Sequence, residues 1–175
     1  MINLSSFKEI VTKAVVGKAK KTSKNDYSLQ PEENPNTVLG CWVINHKFRG
    51  FKKGSDVVVD GSFDVNVWYS FNNDSKTAVD TRTFNYEDTM NMKLDASDID
   101  NEDIIIKALK QPTVSDVKIK DGIINLTVEK DLGVEVVGNT KVKIAVEDEY
   151  DDEYDEIVDI DNDPELDKIT DDYLN

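Results

Sequence analysis

The run "VVVDGSFDVNVWYSF", Val57 to Phe71, constrains the fold of this chain more than any other. Val57, Val59, Gly61, Phe63, Val65, Val67, Tyr69 and Phe71 fall on one parity, and Val58, Asp60, Ser62, Asp64, Asn66, Trp68 and Ser70 on the other. Successive side chains of a β-strand point to opposite faces, so this pattern places one apolar row on a core and one polar row outside. A helix, with its period of 3.6, cannot separate the two sets. Gly61, with no side chain to pack, reads as a bulge or a bend. The turn "NNDS" follows, and "KTAVDTRTFNY", rich in Thr and aromatic residues, reads as a strand pairing back on the first. Ahead of both, "VLGCWVINHKF" reads as a strand that leaves the proline-marked loop "QPEENPNT".

The remaining segments carry different signals. In "SSFKEIVTKAVV", Ser6 and Glu9 are spaced as a capping box, and Phe7, Ile10, Val11, Ala14 and Val15 form an i, i+3, i+4 stripe. That spacing predicts a short N-terminal helix ending near Gly17. Six lysines and one glutamate between Lys8 and Lys24 make this region half-buried structure or a basic docking arm. "SDIDNEDIIIKALKQP" predicts a second short helix, opened by acidic residues and ended by Pro112. Asp121-Gly122 in "VKIKDGIINLTV" and Gly138-Asn139 in "VEVVGNTKVKIAV" each read as a hairpin turn between alternating runs. The expected fold is mainly β: a β-sandwich-like body of about seven strands with the two short helices. Asp60-Gly61 and Asp121-Gly122 hint at two related halves.

Charge divides the chain more sharply than hydropathy does. Of the net charge of −15, residues 147–175 hold 15 Asp and Glu against one Lys, whereas residues 1–146 are nearly neutral. The expected organisation is a β-rich domain over 1–146 and an acidic, largely disordered C-terminal tail over 147–175. Such a tail repels nucleic acid and anionic membrane. No segment approaches 18 apolar residues, and the N-terminal stretch has no apolar core of signal-peptide length, which points to a protein kept in a cytoplasm. Cys41, the single cysteine, excludes an intramolecular disulfide and leaves a thiol that two chains could join.

Few residues suggest chemistry. Asp159, Asp161 and Asp163 start a calcium-loop spacing, but Pro164 stands where the loop needs glycine and Thr170 where it needs a bidentate glutamate. Only weak calcium condensation on the tail remains. Cys41 and His46, five apart in a strand, would lie on opposite faces and not form a nucleophile and base. No glycine-rich phosphate loop and no metal-ligand cluster appears. The expectation is no catalytic residue, no metal and no cofactor.

Two stretches suggest contacts instead. Trp68 interrupts the polar parity of its strand, which fits burial under a second layer or an anchor for self-association. In the tail, "DEYDDEYDE" repeats Asp-Glu-Tyr-Asp. On a helix, Tyr150, Tyr154, Ile157 and Val158 would form one stripe among carboxylates, a surface for a basic partner or simply a solvated end.

"KEIVTKAVVGKAKK", "LGCWVINHKF", "DGSFDVNVWYS", "LKQP" and "EVVGNTKVKIAV" resemble the outer spore coat protein E (CotE) family of endospore-forming bacteria. The chain also looks like a distant relative of the spore-coat repeat domains of other morphogenetic proteins. The resemblance implies a non-enzymatic morphogenetic protein, made in the mother cell and deposited around the forespore, that self-associates and recruits outer coat proteins. It implies self-association through the segment matching Val57 to Asn72, with Phe63, Val65, Val67, Trp68 and Tyr69 as candidates. It implies recruitment of other spore coat proteins through the acidic end, with Tyr150, Asp151, Asp152, Glu153, Tyr154, Asp155, Glu156 and Ile157 as candidates. A β-sandwich binding calcium or carbohydrate is the alternative.

Overall fold

A computed structural model describes residues 6–92 and 103–146. Six long strands fill nearly all of them: β1 (Ser6–Leu29), β2 (Pro35–Lys53), β3 (Asp56–Phe71), β4 (Lys76–Asn91), β5 (Asp103–Lys120) and β6 (Ile123–Val146). The chain divides into two compact units. Residues 10–142 form the one treated below; of the other, residues 6–9 and 143–146 are described, as extended strand ends.

Two three-stranded sheets result, ordered β2-β3-β4 and β1-β6-β5. The first is a meander of antiparallel neighbours. In the second, β5 and β6 form a hairpin closed by Asp121 (φ 53°) and Gly122 (φ 76°), the two positive angles expected for a type I′ turn. Paired side chains descend β1 as they ascend β6 (Ser28 with Asn125, Asp26 with Thr127, Lys24 with Glu129, Lys18 with Glu135), so these strands are antiparallel too.

The sheets pack face to face through the inward rows of their central strands. One cluster joins Phe63, Val65, Val67 and Tyr69 of β3 to Ile124, Leu126 and Val128 of β6. A second joins Val57 and Val59 to Leu132, Val134 and Val136, with Met90 of β4. Both rows are interrupted between the clusters, by Gly61 in β3 and by Lys130 in β6. Tyr86 of β4 packs against both clusters and spans the gap.

The β-sandwich expectation holds, and several details differ. No helix occurs among the described residues. Residues 6–16 belong to β1: the β-branched residues Val11, Thr12, Val15 and Val16 suit a strand, and Ala19, Lys21, Ser23, Tyr27 and Leu29 alternate inward beyond Gly17. Residues 103–112 of the expected second helix lie in β5, where Ile104, Ile106 and Ala108 alternate onto the core; residues 97–102 are outside the described region. Pro112 does not end that element, because β5 is an edge strand and the register shifts there between Lys110 and Thr113. Gly138-Asn139 is no turn: β6 continues through it to Val146, which makes six strands instead of seven. Gly61 is neither a bulge nor a bend, since the β3–β4 register runs unbroken from Asp56 to Phe71. A Cβ there would collide with the Tyr86 ring, so the glycine provides space for an aromatic side chain. Asp60-Gly61 thus sits in mid-strand and Asp121-Gly122 in a turn, so the two do not mark equivalent positions of two halves.

Candidate interaction surfaces and the buried polar centre

Two bulges aim polar side chains into the gap between the clusters. In β2, Ile44 pairs with Asp64 and Lys47 with Ser62, so Asn45 and His46 together oppose one residue of β3. Asn45 has φ 54°, a conformation asparagine tolerates, and its amide donates to Asp64 at 2.8 Å. The extra residue reverses parity. Cys41 and Val43 face the core before it, and His46 and Phe48 after it. Cys41 and His46 are therefore on the same inner face, contrary to a count of strand parity. The β5 shift places Gln111 and Pro112 opposite Lys130.

The polar centre is continuous. Lys130, 2% exposed, places Nζ 2.9 Å from Asp88 Oδ2 and 4.0 Å from the Tyr86 ring centroid. Asp88 also receives Lys21 Nζ at 3.1 Å and the Ser23 hydroxyl at 3.2 Å. The Tyr86 hydroxyl lies 2.7 Å from His46 Nε2, and His46 Nδ1 lies 2.9 Å from Gln111 Oε1. With Gln111 Oε1 accepting, Nδ1 carries a proton, and in the neutral ring Nε2 then accepts from the Tyr86 hydroxyl. Burial lowers the His46 pKa, and the Lys130 charge adds to that against the Gln111 hydrogen bond. Burial pushes the Asp88 carboxyl up, but hydrogen bonds and charge from Lys130 and Lys21 outweigh it and hold the carboxyl below its usual range. Burial, with the Asp88 charge beside it, raises the Tyr86 phenol.

This arrangement ties the sheets together. Cys41 packs against the core, and burial pushes its thiol up to about 11, away from nucleophilic use. Among the described residues no group of three or more His, Cys, Asp or Glu is placed to hold a metal ion. Every buried side-chain polar atom among them has a partner.

The outer faces differ. On sheet β2-β3-β4, Trp42 and Trp68 are each 43% exposed, with Leu39, Ile44 and Val79 exposed beside them. Gly40 and Val79 flank Trp68 in register, and a Cβ at Gly40 would lie 3.6 Å from the Trp42 ring and 3.7 Å from the Trp68 ring. Both indoles thus lie over one backbone position. On sheet β1-β6-β5, Lys18 and Lys107 flank Glu135, Lys24 and Lys110 flank Glu129, and Lys20 reaches Asp131. Hydrogen bonds from Lys107 and Lys18 hold Glu135 below the usual range, and those from Lys24 and Lys110 do the same for Glu129.

Of the five residues expected at a self-contact, Trp68 alone is exposed; Phe63, Val65, Val67 and Tyr69 are core. The Tyr69 hydroxyl donates to Asp80 at 3.0 Å and accepts from the Glu33 amide at 3.3 Å, pinning the β1–β2 loop. Tyr150 to Ile157 and the Asp159–Thr170 stretch lie outside the described residues. Parity counting missed the buried pair, although a signal existed. Lys130 is the one charge on the apolar row of β6 from Ile124 to Val136, whereas Asp88 shares its row of β4 with Phe84, Tyr86 and Met90 but also with Asp80 and Arg82, so the signal lay in Lys130 alone.

No curated protein and no solved structure matches the chain. The family model for outer spore coat protein E (CotE) matches residues 6–175. This mainly β chain, matched over that length, belongs to the outer spore coat protein E (CotE) family.

Proposed function

We propose that this chain is a non-enzymatic structural scaffold of the spore coat in an endospore-forming bacterium. In this reading it acts from the mother-cell cytoplasm, forms homo-oligomers around the forespore through a body spanning 1–146, and recruits other coat proteins through the acidic segment 147–175. Membership of a spore coat family supports the setting. The observation that carries the self-association reading is the indole pair Trp42 and Trp68, standing with Leu39, Ile44 and Val79 on the outside of a sheet whose inner face is already occupied. Exposed aromatic clusters of this kind act as interface anchors.

Sedimentation of full-length Trp68→Ala and Trp42→Ala tests it. Loss of a central aromatic anchor costs at least ~2 kcal/mol, a weakening of roughly 30-fold. An oligomer distribution identical to the parent's in both variants would refute the contact. Recruitment is tested separately by Tyr150→Ser/Tyr154→Ser in the full chain, with every carboxylate kept. Capture of coat proteins at parental levels would rule out the tyrosines.

A further inference from the structure

We propose that a groove on the outer face of sheet β1-β6-β5 takes the acidic tyrosine segment 147–157 of a second copy of this chain. The proposal rests on the self-association reading and deepens it. An indole patch used symmetrically closes a dimer, whereas a layer needs a second, independent contact.

The groove lies where Gly133 leaves the outward row of β6 without a side chain. Leu109 of β5 leans into the space, 3.1 Å from where a Gly133 Cβ would stand, yet remains 55% exposed. Lys18 and Lys20 line one side and Lys107 the other, around a space of about 290 Å³ that suits one aromatic side chain. The lysine side chains are 56–68% exposed and the carboxylates beneath them, Asp131 and Glu135, 19–25%. The ammonium groups therefore stand outermost, over an apolar floor. Each ammonium has three N–H donors, so one engaged with a carboxylate below can still receive another from above.

Such a groove selects an aromatic or aliphatic side chain carried between carboxylates. Residues 147–157 hold eight Asp and Glu in eleven positions, with Tyr150 and Tyr154 among them and no lysine or arginine. A second copy is the better source. From Gly133 to Val142, β6 advances about 30 Å, and Tyr150 is eight residues beyond, a reach of at most about 29 Å. To enter its own groove the segment would have to turn back over its own strand, with Tyr150 at full extension and only Tyr154, twelve residues on with a reach of about 43 Å, arriving with slack. A neighbour's segment meets no such limit, and a contact between two unlike surfaces repeats from copy to copy into an open array. Segments at the edge of that array stay free for other coat proteins.

The test uses two full-length variants at low salt, Leu109→Asp, which places a negative charge on the groove floor, and Tyr150→Ser/Tyr154→Ser, which spares the sheets altogether. Far-UV circular dichroism checks the fold of each, and Leu109→Met is the control expected to associate like the parent. Each test variant alone is expected to associate at least ~10-fold more weakly by sedimentation. Mixing them is expected to restore larger species, since each supplies the surface the other lacks. Parental association by either variant, or a mixture no larger than its components, overturns the proposal, and the second result also covers docking within one chain. Coat-protein capture by Leu109→Asp is expected to be at least parental, since segments no longer held in neighbouring grooves are free for it, which separates failure of the groove from failure of the recruiting role.

Discussion

Lys130 on β6 and Asp88 on β4 meet at 2.9 Å in the middle of the sandwich, with 2% and 8% of their side chains exposed, and connect the two sheets by opposite charges. The pair sits where both central strands lack an apolar residue. It is completed by Ser23 and Lys21 on one side and the Tyr86 ring on the other. A buried ion pair gains its stability from being complete, because removing one partner strands the other in a medium that solvates it poorly.

Lys130→Ala is accordingly expected to destabilise the fold by about 3–5 kcal/mol, read from urea unfolding. Lys130→Met combined with Asp88→Leu replaces the pair by apolar volume and is expected to recover much of that loss. A double variant as unstable as Lys130→Ala alone would show that the hydrogen bonds of Asp88, and not its stranded charge, set the cost.

His46 makes stability depend on pH. Its folded pKa lies below the ordinary value of 6.5, so the folded state favours the neutral ring. The stability it contributes is complete above pH 6.5 and is lost as pH falls from there through the lowered pKa. Parent unfolding free energies should therefore fall on acidification through this window, and those of His46→Gln should be flatter. A second decline below about pH 4, where Asp88 with its depressed pKa takes up a proton, should persist in His46→Gln.

Gly61→Ala puts a methyl group where the Tyr86 ring lies. The expected cost is about 1–3 kcal/mol, the range for forcing extra volume into a packed core. Shrinking Tyr86 to Ala in the same chain should make Gly61→Ala much less harmful. A double-mutant cycle with coupling near zero would mean that the ring moves aside without loss.

Cys41 should react slowly with thiol reagents while the protein is folded. Its thiol is raised from 9.0 to about 11, so its thiolate is roughly 100-fold scarcer at neutral pH. Alkylation followed by mass spectrometry is expected to be slow in buffer and fast in urea. Equal rates would place the thiol on the surface.

Much of the body was legible in residue order. The alternation of Val57–Phe71 is β3 with its register intact, Asp121-Gly122 is the β5–β6 turn, and Asn72–Ser75 is the β3–β4 turn, where Asn72, Asn73 and Asp74 all have positive φ. The helix expectations failed where apolar residues were ambiguous. Ile104-Ile105-Ile106 fits either period, and a strand was selected because Ile104 and Ile106 reach the cluster formed by Leu132 and Val134. The exposed indole patch was partly legible: Trp68 stood out on its polar parity with Trp42 on the strand before it, but only the β2–β3 register set both indoles over Gly40.

By itself, then, the sequence determined a mainly β chain, its central strand, two of its turns and the segregation of negative charge after residue 146, because period, turn chemistry and charge are local properties. Only the tertiary structure decided which faces met. The bulge at Asn45 reversed the parity of β2 and brought His46 to the inside with Cys41. The packing of β4 and β6 from different sheets turned two misplaced charges, Asp88 and Lys130, into one ion pair. A charge on an apolar parity is costly until a partner distant in sequence arrives, and its arrival depends on how whole sheets stack.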